Sequence, residues 1–303
     1  MSFVAVTSQI ILGKVHIEKF MRIFNKLYKI EKELRNEFQI EIPYRKIAYA
    51  SIALTLTSSF LEIIGFLSAV MGYLVNRYYM PFLVSIYVSY TLLSLQVVYG
   101  QFLNGILIYR HLFSGVGNYL MDFFMSLAPD AFMDDIRVAK SVRILRISSR
   151  IHQELCENLR KFNELLSIQL LLSFACHYVQ ICLQAFFMII IFSADDKKHL
   201  YYVLVMIFIL VAVILKLGVG IINSHLCINE MSKLTHLVWK MSTLKNAEVR
   251  KEANNFALQM LHEKIEITAA GFFDIDAKVI FSMAAGAAIY TILLVQFYPK
   301  MKL

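Results

Sequence analysis

Polar side chains on one predicted helical face interrupt the apolar stretch between residues 165 and 192. His177, Gln180 and Gln184 stand at positions i, i+3 and i+7, so a helix would place them on the same side. An imidazole ring and two amides can donate and accept several hydrogen bonds. The chemistry that this spacing predicts is hydrogen bonding, either to a small polar molecule or to a neighbouring helix.

Three further polar side chains lie in the apolar stretches that come earlier in the chain. Glu62 falls in the middle of the first stretch, and Tyr87 and Tyr90 fall in the second. Together with His177, Gln180 and Gln184, they could line a pocket open to the outside that binds a small polar molecule. The alternative is hydrogen bonding between helices, which is common in membrane proteins. Both interpretations stay open for Glu62 and the His177 face, because an ionisable group inside a membrane is a functional candidate by default.

The composition predicts that membrane helices position these side chains. Hydrophobic residues make up 58% of the 303 residues, charged residues only 17%, and the mean hydropathy is +0.61. The apolar residues concentrate in runs of about 20 or more, the length that crosses a hydrocarbon core. Such runs form helices, because backbone groups must be paired within lipid. The predicted fold class is an all-α polytopic transmembrane helix bundle with cytoplasmic helical extensions. Its five predicted spans are residues 47–75, 80–108, 165–192, 200–222 and 279–297.

The distribution of positive charge predicts the orientation in the membrane. Of the 30 Lys and Arg residues, nine, eight and six fall in residues 1–46, 109–164 and 223–274. These segments should be cytoplasmic, which places the N-terminus inside and the C-terminus outside the cell. The net charge of +8 is thereby explained by topology, and no nucleic-acid partner is predicted. Lys216, near the inner end of the fourth span, should extend its ammonium to the interface.

The inner segments carry apolar stripes at helical spacing, which must be buried against something. One stripe runs directly into the third span, and the other lies in a charged helix before the last span. Each stripe could form a packing layer within the chain or an interface between subunits. Their residues are Ile147, Ile151, Leu155, Leu159, Phe162 and Leu166, and Val249, Phe256, Met260 and Ile267.

Motifs for catalysis and for metal binding are missing from the sequence. It contains no phosphate-binding loop, no G-x-S-x-G and no H-E-x-x-H, so no enzyme is predicted. The four cysteines Cys156, Cys176, Cys182 and Cys227 include no C-x-x-C pair, which argues against a zinc site or a disulfide framework. No cofactor or metal is therefore predicted, and a transporter is disfavoured because no inverted repeat is visible.

The last span begins after two carboxylates. Asp274 and Asp276 are predicted at its N-terminus, where carboxylates accept hydrogen bonds from free N–H groups and oppose the helix dipole. If several copies met around an axis, the two residues would also form a ring at the inner mouth that attracts cations.

The outer half of the last span repeats side chains on one face. Ile289, Leu293, Gln296 and Phe297 fall on this face, beyond small residues that permit close helix approach. In a single helix, Gln296 and Phe297 would be a polar cap and an interfacial aromatic. In a symmetric assembly they would form rings, and such rings can gate a pore and contact ions.

The segment FALQMLHEKIEITAAGFFDIDAKVIFSMAAGAAIYTILLVQF resembles the C-terminal signature of the insect gustatory receptors. That signature ends in Thr-Tyr, five hydrophobic residues and Gln-Phe, and here Tyr290, residues 291–295, Gln296 and Phe297 match it. Ile289 stands where the family usually has Thr. The stretch RIHQELCENLRKFNELLSIQLLL is also similar to the family's entry into its fifth span.

The resemblance implies a ligand-gated, non-selective cation channel that detects a tastant, built as a homo- or hetero-tetramer around the last helix. Gln296, Phe297, Leu293, Ile289 and Tyr290 would then lie at the pore and its outer gate. The resemblance also implies a division of the chain. Residues 1–46 would be the end of a preceding span with a cytoplasmic helix, and residues 47–222 a ligand-binding-type bundle with the cytoplasmic loop 109–164. Residues 223–274 would be cytoplasmic anchor helices, and residues 275–303 the pore helix with an extracellular C-terminus. The implied location is the plasma membrane.

Two alternatives remain at this stage. The family has seven spans and five are predicted here, so the chain is expected to be a fragment, an incomplete gene model or a short isoform. It could then be a non-conducting regulatory or non-functional receptor fragment. A G-protein-coupled receptor is the other alternative, and it requires the opposite orientation in the membrane.

Overall fold

The long apolar segments form continuous helices in the computed structural model, which describes residues 2–76, 79–126, 134–193 and 200–301. The described elements are seven helices and one short β-hairpin between the last two helices, so the predicted all-α fold class is confirmed. The elements are α1 (Ser2–Phe38), α2 (Tyr44–Asn76), α3 (Tyr79–Ser126), α4 (Asp135–Ser193), α5 (Leu200–Met241), α6 (Ala247–His262), β1 (Thr268–Ala269), β2 (Phe273–Asp274) and α7 (Ala277–Met301).

Several helices are much longer than a membrane is thick. The 59 residues of α4 would extend about 88 Å at the usual rise per residue, against about 30 Å of hydrocarbon. Among the described residues, three segments are long and apolar enough to cross a membrane, and they overlap the third, fourth and fifth predicted spans. These segments are Asp135–Ile189, Met206–Met241 and Ala277–Phe297.

The first two predicted spans fall within α2 and α3, where many side chains lie outside the described part of the structure. Their helical conformation agrees with the prediction. Their placement in the membrane stays a prediction, as does the proposed division of the chain into domains.

The helix segments that were predicted to be cytoplasmic pack into one apolar core. Both predicted stripes are buried inside the chain: Leu155, Leu159 and Phe162 are fully covered, and so are Val249 and Ile267. Of the two interpretations of these stripes, the packing layer within the chain is therefore the one observed. The inner bundle consists of α1, the second half of α3, the first half of α4, the end of α5, and α6.

Polar contacts fix the helices of the inner bundle against one another. Asn158 donates to the Ile23 carbonyl across 3.1 Å, which joins α4 to α1. Lys26 contacts Glu157 at 3.0 Å in the same interface. On the other side of α4, Gln259 of α6 donates to the Ser149 carbonyl across 3.2 Å. The first half of α4 is thus held between α1 and α6.

The hairpin after α6 sets the start of α7. Ala270 and Gly271 both have positive φ, at 52° and 72°, and the Phe272 amide donates to the Ala269 carbonyl at 3.0 Å. Positive φ at both central positions defines a type I′ turn, whose twist matches that of the paired strands. The turn therefore reverses the chain within a few residues.

The two carboxylates before α7 have different roles. Asp276 caps the helix, because its Oδ1 accepts from the Lys278 amide at 2.9 Å. Asp274 lies in β2 opposite Thr268 and is exposed, so its predicted place at the helix N-terminus was wrong. Strand pairing holds Asp274 one turn too early in the chain to reach the free N–H groups of α7.

Candidate functional site

The polar face predicted on α4 is present and buried. His177 is fully covered, and its Nδ1 lies 2.7 Å from the Ser173 carbonyl oxygen. A carbonyl can only accept, so Nδ1 carries the proton and Nε2 presents a lone pair. Among the described residues, nothing donates a hydrogen bond to Nε2. His177 therefore offers an acceptor toward the interior of the bundle.

Two amides continue this face toward the end of α4. Gln180 and Gln184 are half-buried, yet both amide atoms of Gln180 and the Oε1 of Gln184 are enclosed. In the part of the chain that the structure describes, these three atoms make no hydrogen bond. With His177 they form a row of donors and acceptors on one side of α4, and such a row can bind a small polar molecule.

A buried lysine lies between α3 and α5. Lys216 is only 3% exposed, and its Nζ lies 5.7 Å from the centre of the Tyr99 ring. The Tyr99 hydroxyl donates to the Lys216 carbonyl at 2.6 Å and to that of Leu217 at 3.0 Å. The expectation that Lys216 extends to the interface was wrong, because the ring of Tyr99 covers its ammonium and supplies a cation–π contact.

The predicted pocket residues are only partly accounted for. His177, Gln180 and Gln184 share a face of α4, as their spacing predicted. Glu62 belongs to α2, and Tyr87 and Tyr90 belong to α3, but these three side chains lie outside the described part of the structure. The burial of Lys216 was missed, since hydropathy alone does not show whether a lysine near a span end is covered.

The predicted pore residues lie on a largely uncovered helix. Ile289 is 60% exposed and Leu293 is 42% exposed, and Gln296 is exposed as well. Tyr290 is 56% exposed, and its ring also meets that of Tyr178 on α4 in a T-shaped contact of 6.2 Å between centroids. Phe297 is 53% exposed.

One group of side chains in the described residues could hold a metal ion, although none was predicted from the sequence. It combines His152 and Cys156 of α4 with Glu263 at the end of α6, and their ligand atoms all lie within 4.8 Å of one another. A hydrogen-bonding interaction with His152 lowers the pKa of Glu263. Sequence analysis missed the group because Glu263 lies far along the chain. The available signal was the i, i+4 spacing of His152 and Cys156.

Comparisons with known proteins agree with this architecture. Residues 1–301 match the family described as 7tm chemosensory receptor. Gustatory receptor 28b of Drosophila melanogaster is 28% identical over 165 residues, which make up 51% of this chain and 34% of that protein. Gustatory receptor 28a of the same species is 26% identical over 172 residues, 54% of this chain and 37% of that protein. The matches thus span little more than a third of the length of these relatives.

A solved structure shares the fold. The insect olfactory receptor OR5 from Machilis hrabei, in complex with eugenol, superposes with a TM-score of 0.66 at 14% identity, covering 97% of this chain and 79% of that one. A second structure of OR5 gives a TM-score of 0.54 at 16% identity, covering 97% and 80% of the two chains. The family is one of multi-pass membrane receptors and is not enzymatic. The chain therefore belongs to the 7tm chemosensory receptor family.

Proposed function

We propose that this chain is a gustatory receptor subunit of a ligand-gated, non-selective cation channel that detects a small tastant. In this proposal it lies in the plasma membrane with its N-terminus cytoplasmic and its C-terminus extracellular. Four subunits, identical or mixed, surround a pore lined by α7. The observation that carries the proposal is the uncovered face of α7 in a chain whose other predicted apolar stripes are buried.

The side chains on that face suit a pore better than lipid. Ser282, Ala285, Ile289, Leu293 and Gln296 follow one another at steps of three and four residues, and all five are exposed. The face carries a serine at one end and a glutamine at the other, and such polar groups can contact permeating ions in a pore. A small residue such as alanine permits close approach of a second helix. Apolar rings of Ile289 and Leu293 would close the pore by dewetting.

The polar face of α4 is the proposed tastant contact. His177, Gln180 and Gln184 offer enclosed donors and acceptors, and α4 also packs directly on α7. A ligand bound there would act on the helix that contacts the pore. Asp274 and Asp276 precede α7, and we propose that they attract cations at the inner mouth.

Charge substitution at the outer end of α7 tests the pore assignment. We expect Gln296→Glu to raise the permeability of Ca²⁺ relative to Na⁺ severalfold, because four added carboxylates would attract divalent cations. The measurement is the reversal potential in patch-clamp recordings of cells that express the chain, with Glu266→Gln as an exposed substitution outside α7. Reversal potentials equal to wild type at normal surface expression would argue against Gln296 in the pore.

If the chain reaches the cell surface but conducts no current, the alternative of a non-conducting regulatory fragment is favoured. Co-expression with an intact receptor of the family then decides the matter. A reduced receptor current would identify a non-conducting subunit, and an unchanged current would remove this chain from channel function altogether.

A further inference from the structure

Three different metal-binding side chains meet between α4 and α6. The Nδ1 of His152 lies 3.6 Å from the Glu263 Oε2, and the Cys156 Sγ lies 3.6 Å from both ring nitrogens of His152. His152 and Cys156 are one turn apart in α4, and both are buried. Glu263 is the C-cap residue of α6, with 19% of its side chain exposed. One edge of the cluster is therefore open to entry of an ion.

The spacing of the three ligand atoms fits a tetrahedral ion. With the usual zinc distances to nitrogen, sulfur and oxygen, neighbouring ligands of a tetrahedral Zn²⁺ lie roughly 3.4–3.6 Å apart. The two distances from Nδ1 fall at the upper end of this range. The Sγ and the carboxylate oxygen, within 4.8 Å of each other, need a shift of about 1 Å at most to complete the triangle. A rotation of the carboxylate can supply this shift.

Charge and surroundings also favour a bound cation. Zn²⁺ would be neutralised by the Cys156 thiolate and the Glu263 carboxylate, so no net charge would be buried. On binding, the Cys156 thiol releases its proton to solvent, and His152 binds as the neutral imidazole. Gln259 donates to the Glu263 carboxylate at 3.4 Å, which orients this ligand from outside the cluster.

The rings of two phenylalanines enclose the imidazole. Phe113 and Phe256 pack against His152 in T-shaped contacts, with centroids 5.7 and 5.8 Å away. They keep the ring in place and limit solvent access. A mixed nitrogen, sulfur and oxygen ligand set suits Zn²⁺, whereas Mg²⁺ and Ca²⁺ prefer oxygen ligands alone.

We propose that His152, Cys156 and Glu263 form a binding site for a divalent transition metal, with Zn²⁺ as the ion that fits best. The ion would join the first half of α4 to the end of α6. Because α4 continues into a predicted span and α6 leads through the hairpin to α7, occupancy would stiffen the connection between the inner bundle and α7. The site does not depend on the proposed channel function.

Cobalt provides the direct test, since Co²⁺ replaces Zn²⁺ in tetrahedral sites and absorbs visible light. The full chain is purified in detergent, stripped with a chelator and titrated with Co²⁺. We expect one equivalent to bind, with a thiolate-to-cobalt charge-transfer band that one equivalent of Zn²⁺ abolishes. Cys156→Ser should remove the band, and Glu263→Gln should weaken binding at least about tenfold.

Matched variants separate the site from adventitious binding. Cys176→Ser changes a free cysteine about 30 Å further along α4, and Glu266→Gln changes an exposed carboxylate three residues from Glu263. Both should bind Co²⁺ like wild type. A band that persists in Cys156→Ser, or its absence in wild type, would overturn the proposal and leave a hydrogen-bonded cluster.

Thermal unfolding gives a second readout that does not require Cys156→Ser to fold. Zn²⁺ should raise the midpoint of wild type and Glu266→Gln, because an ion that binds only the folded chain stabilises it. The midpoint of Glu263→Gln, at a partly exposed position, should respond much less. Equal Zn²⁺ responses in Glu263→Gln and Glu266→Gln would contradict the site.

Discussion

At the scale of residues, the polar face of α4 is a set of buried groups that lack partners among the described side chains. Leaving a buried donor or acceptor unpaired costs about 1–3 kcal/mol. His177, Gln180 and Gln184 together present four such atoms. A bound polar molecule would offset this cost, whereas an apolar side chain of similar size would remove it. The face should therefore trade stability against ligand binding.

Replacing Gln180 by leucine tests this trade. We expect Gln180→Leu to raise the thermal unfolding midpoint of the ligand-free protein, because it removes two enclosed atoms that have no partner among the described residues. The free energy of unfolding should rise by about 1–3 kcal/mol. The measurement is unfolding of the purified protein in detergent, followed by size exclusion. Gln101→Leu, at an exposed position of α3, should leave the midpoint nearly unchanged. A lower midpoint in Gln180→Leu would mean that the amide has a protein partner.

At the scale of elements, one glycine permits a close approach between α4 and α7. A Cβ at Gly286 would lie 2.5 Å from the Tyr178 hydroxyl oxygen, closer than atoms can approach without a shift. The ring of Tyr178 therefore occupies the space that the missing side chain leaves, and it also meets Tyr290 edge to face. This contact holds the side of α7 that does not belong to the proposed pore face.

A double-mutant cycle measures this contact. We expect Gly286→Ala to destabilise the protein by about 1–3 kcal/mol through overpacking, and to cost less in a Tyr178→Phe background, where the hydroxyl is gone. Thermal unfolding of the four proteins provides the comparison. Gly218→Ala is the control, because a Cβ there meets nothing within 4 Å and alanine favours a helix. Equal costs of Gly286→Ala in both backgrounds would show that Tyr178 does not set the contact.

At the scale of the whole molecule, apolar side chains remain exposed outside the predicted spans. Trp239 near the end of α5 is 61% exposed, and Leu258 and Leu261 on α6 are 56% and 69% exposed. The opposite face of α6, which includes Phe256, is buried inside the chain. Leu258 and Leu261 lie three residues apart on the exposed side of α6, and we propose that this side contacts another protein. In the proposed tetramer, this surface would contact the neighbouring subunit.

A charge on this surface should weaken the assembly without unfolding the chain. We expect Leu261→Lys to shift the purified protein toward smaller oligomers, because the added ammonium cannot be buried against an apolar partner. Multi-angle light scattering after size exclusion measures the shift, and Lys251→Glu on an exposed position of α6 is the control. An unchanged oligomer in Leu261→Lys would place the interface elsewhere.

The sequence by itself determined the helical fold, the family and much of the polar face. Runs of apolar residues specify membrane helices through length alone, and the spacing of His177, Gln180 and Gln184 specifies a shared face. These are local properties, because a helix repeats every 3.6 residues whatever surrounds it. The stripes on the inner helices were identified in the same way, without their partner surfaces.

Only the tertiary structure decided which surfaces those residues meet. It buried the inner stripes within the chain, covered Lys216 with Tyr99, and drew Asp274 into a strand. It also brought Glu263 to His152 and Cys156. Each outcome depends on contacts between residues far apart in the chain, and a single sequence contains no periodicity that encodes such contacts. Periodicity predicts a face, whereas packing decides what that face binds.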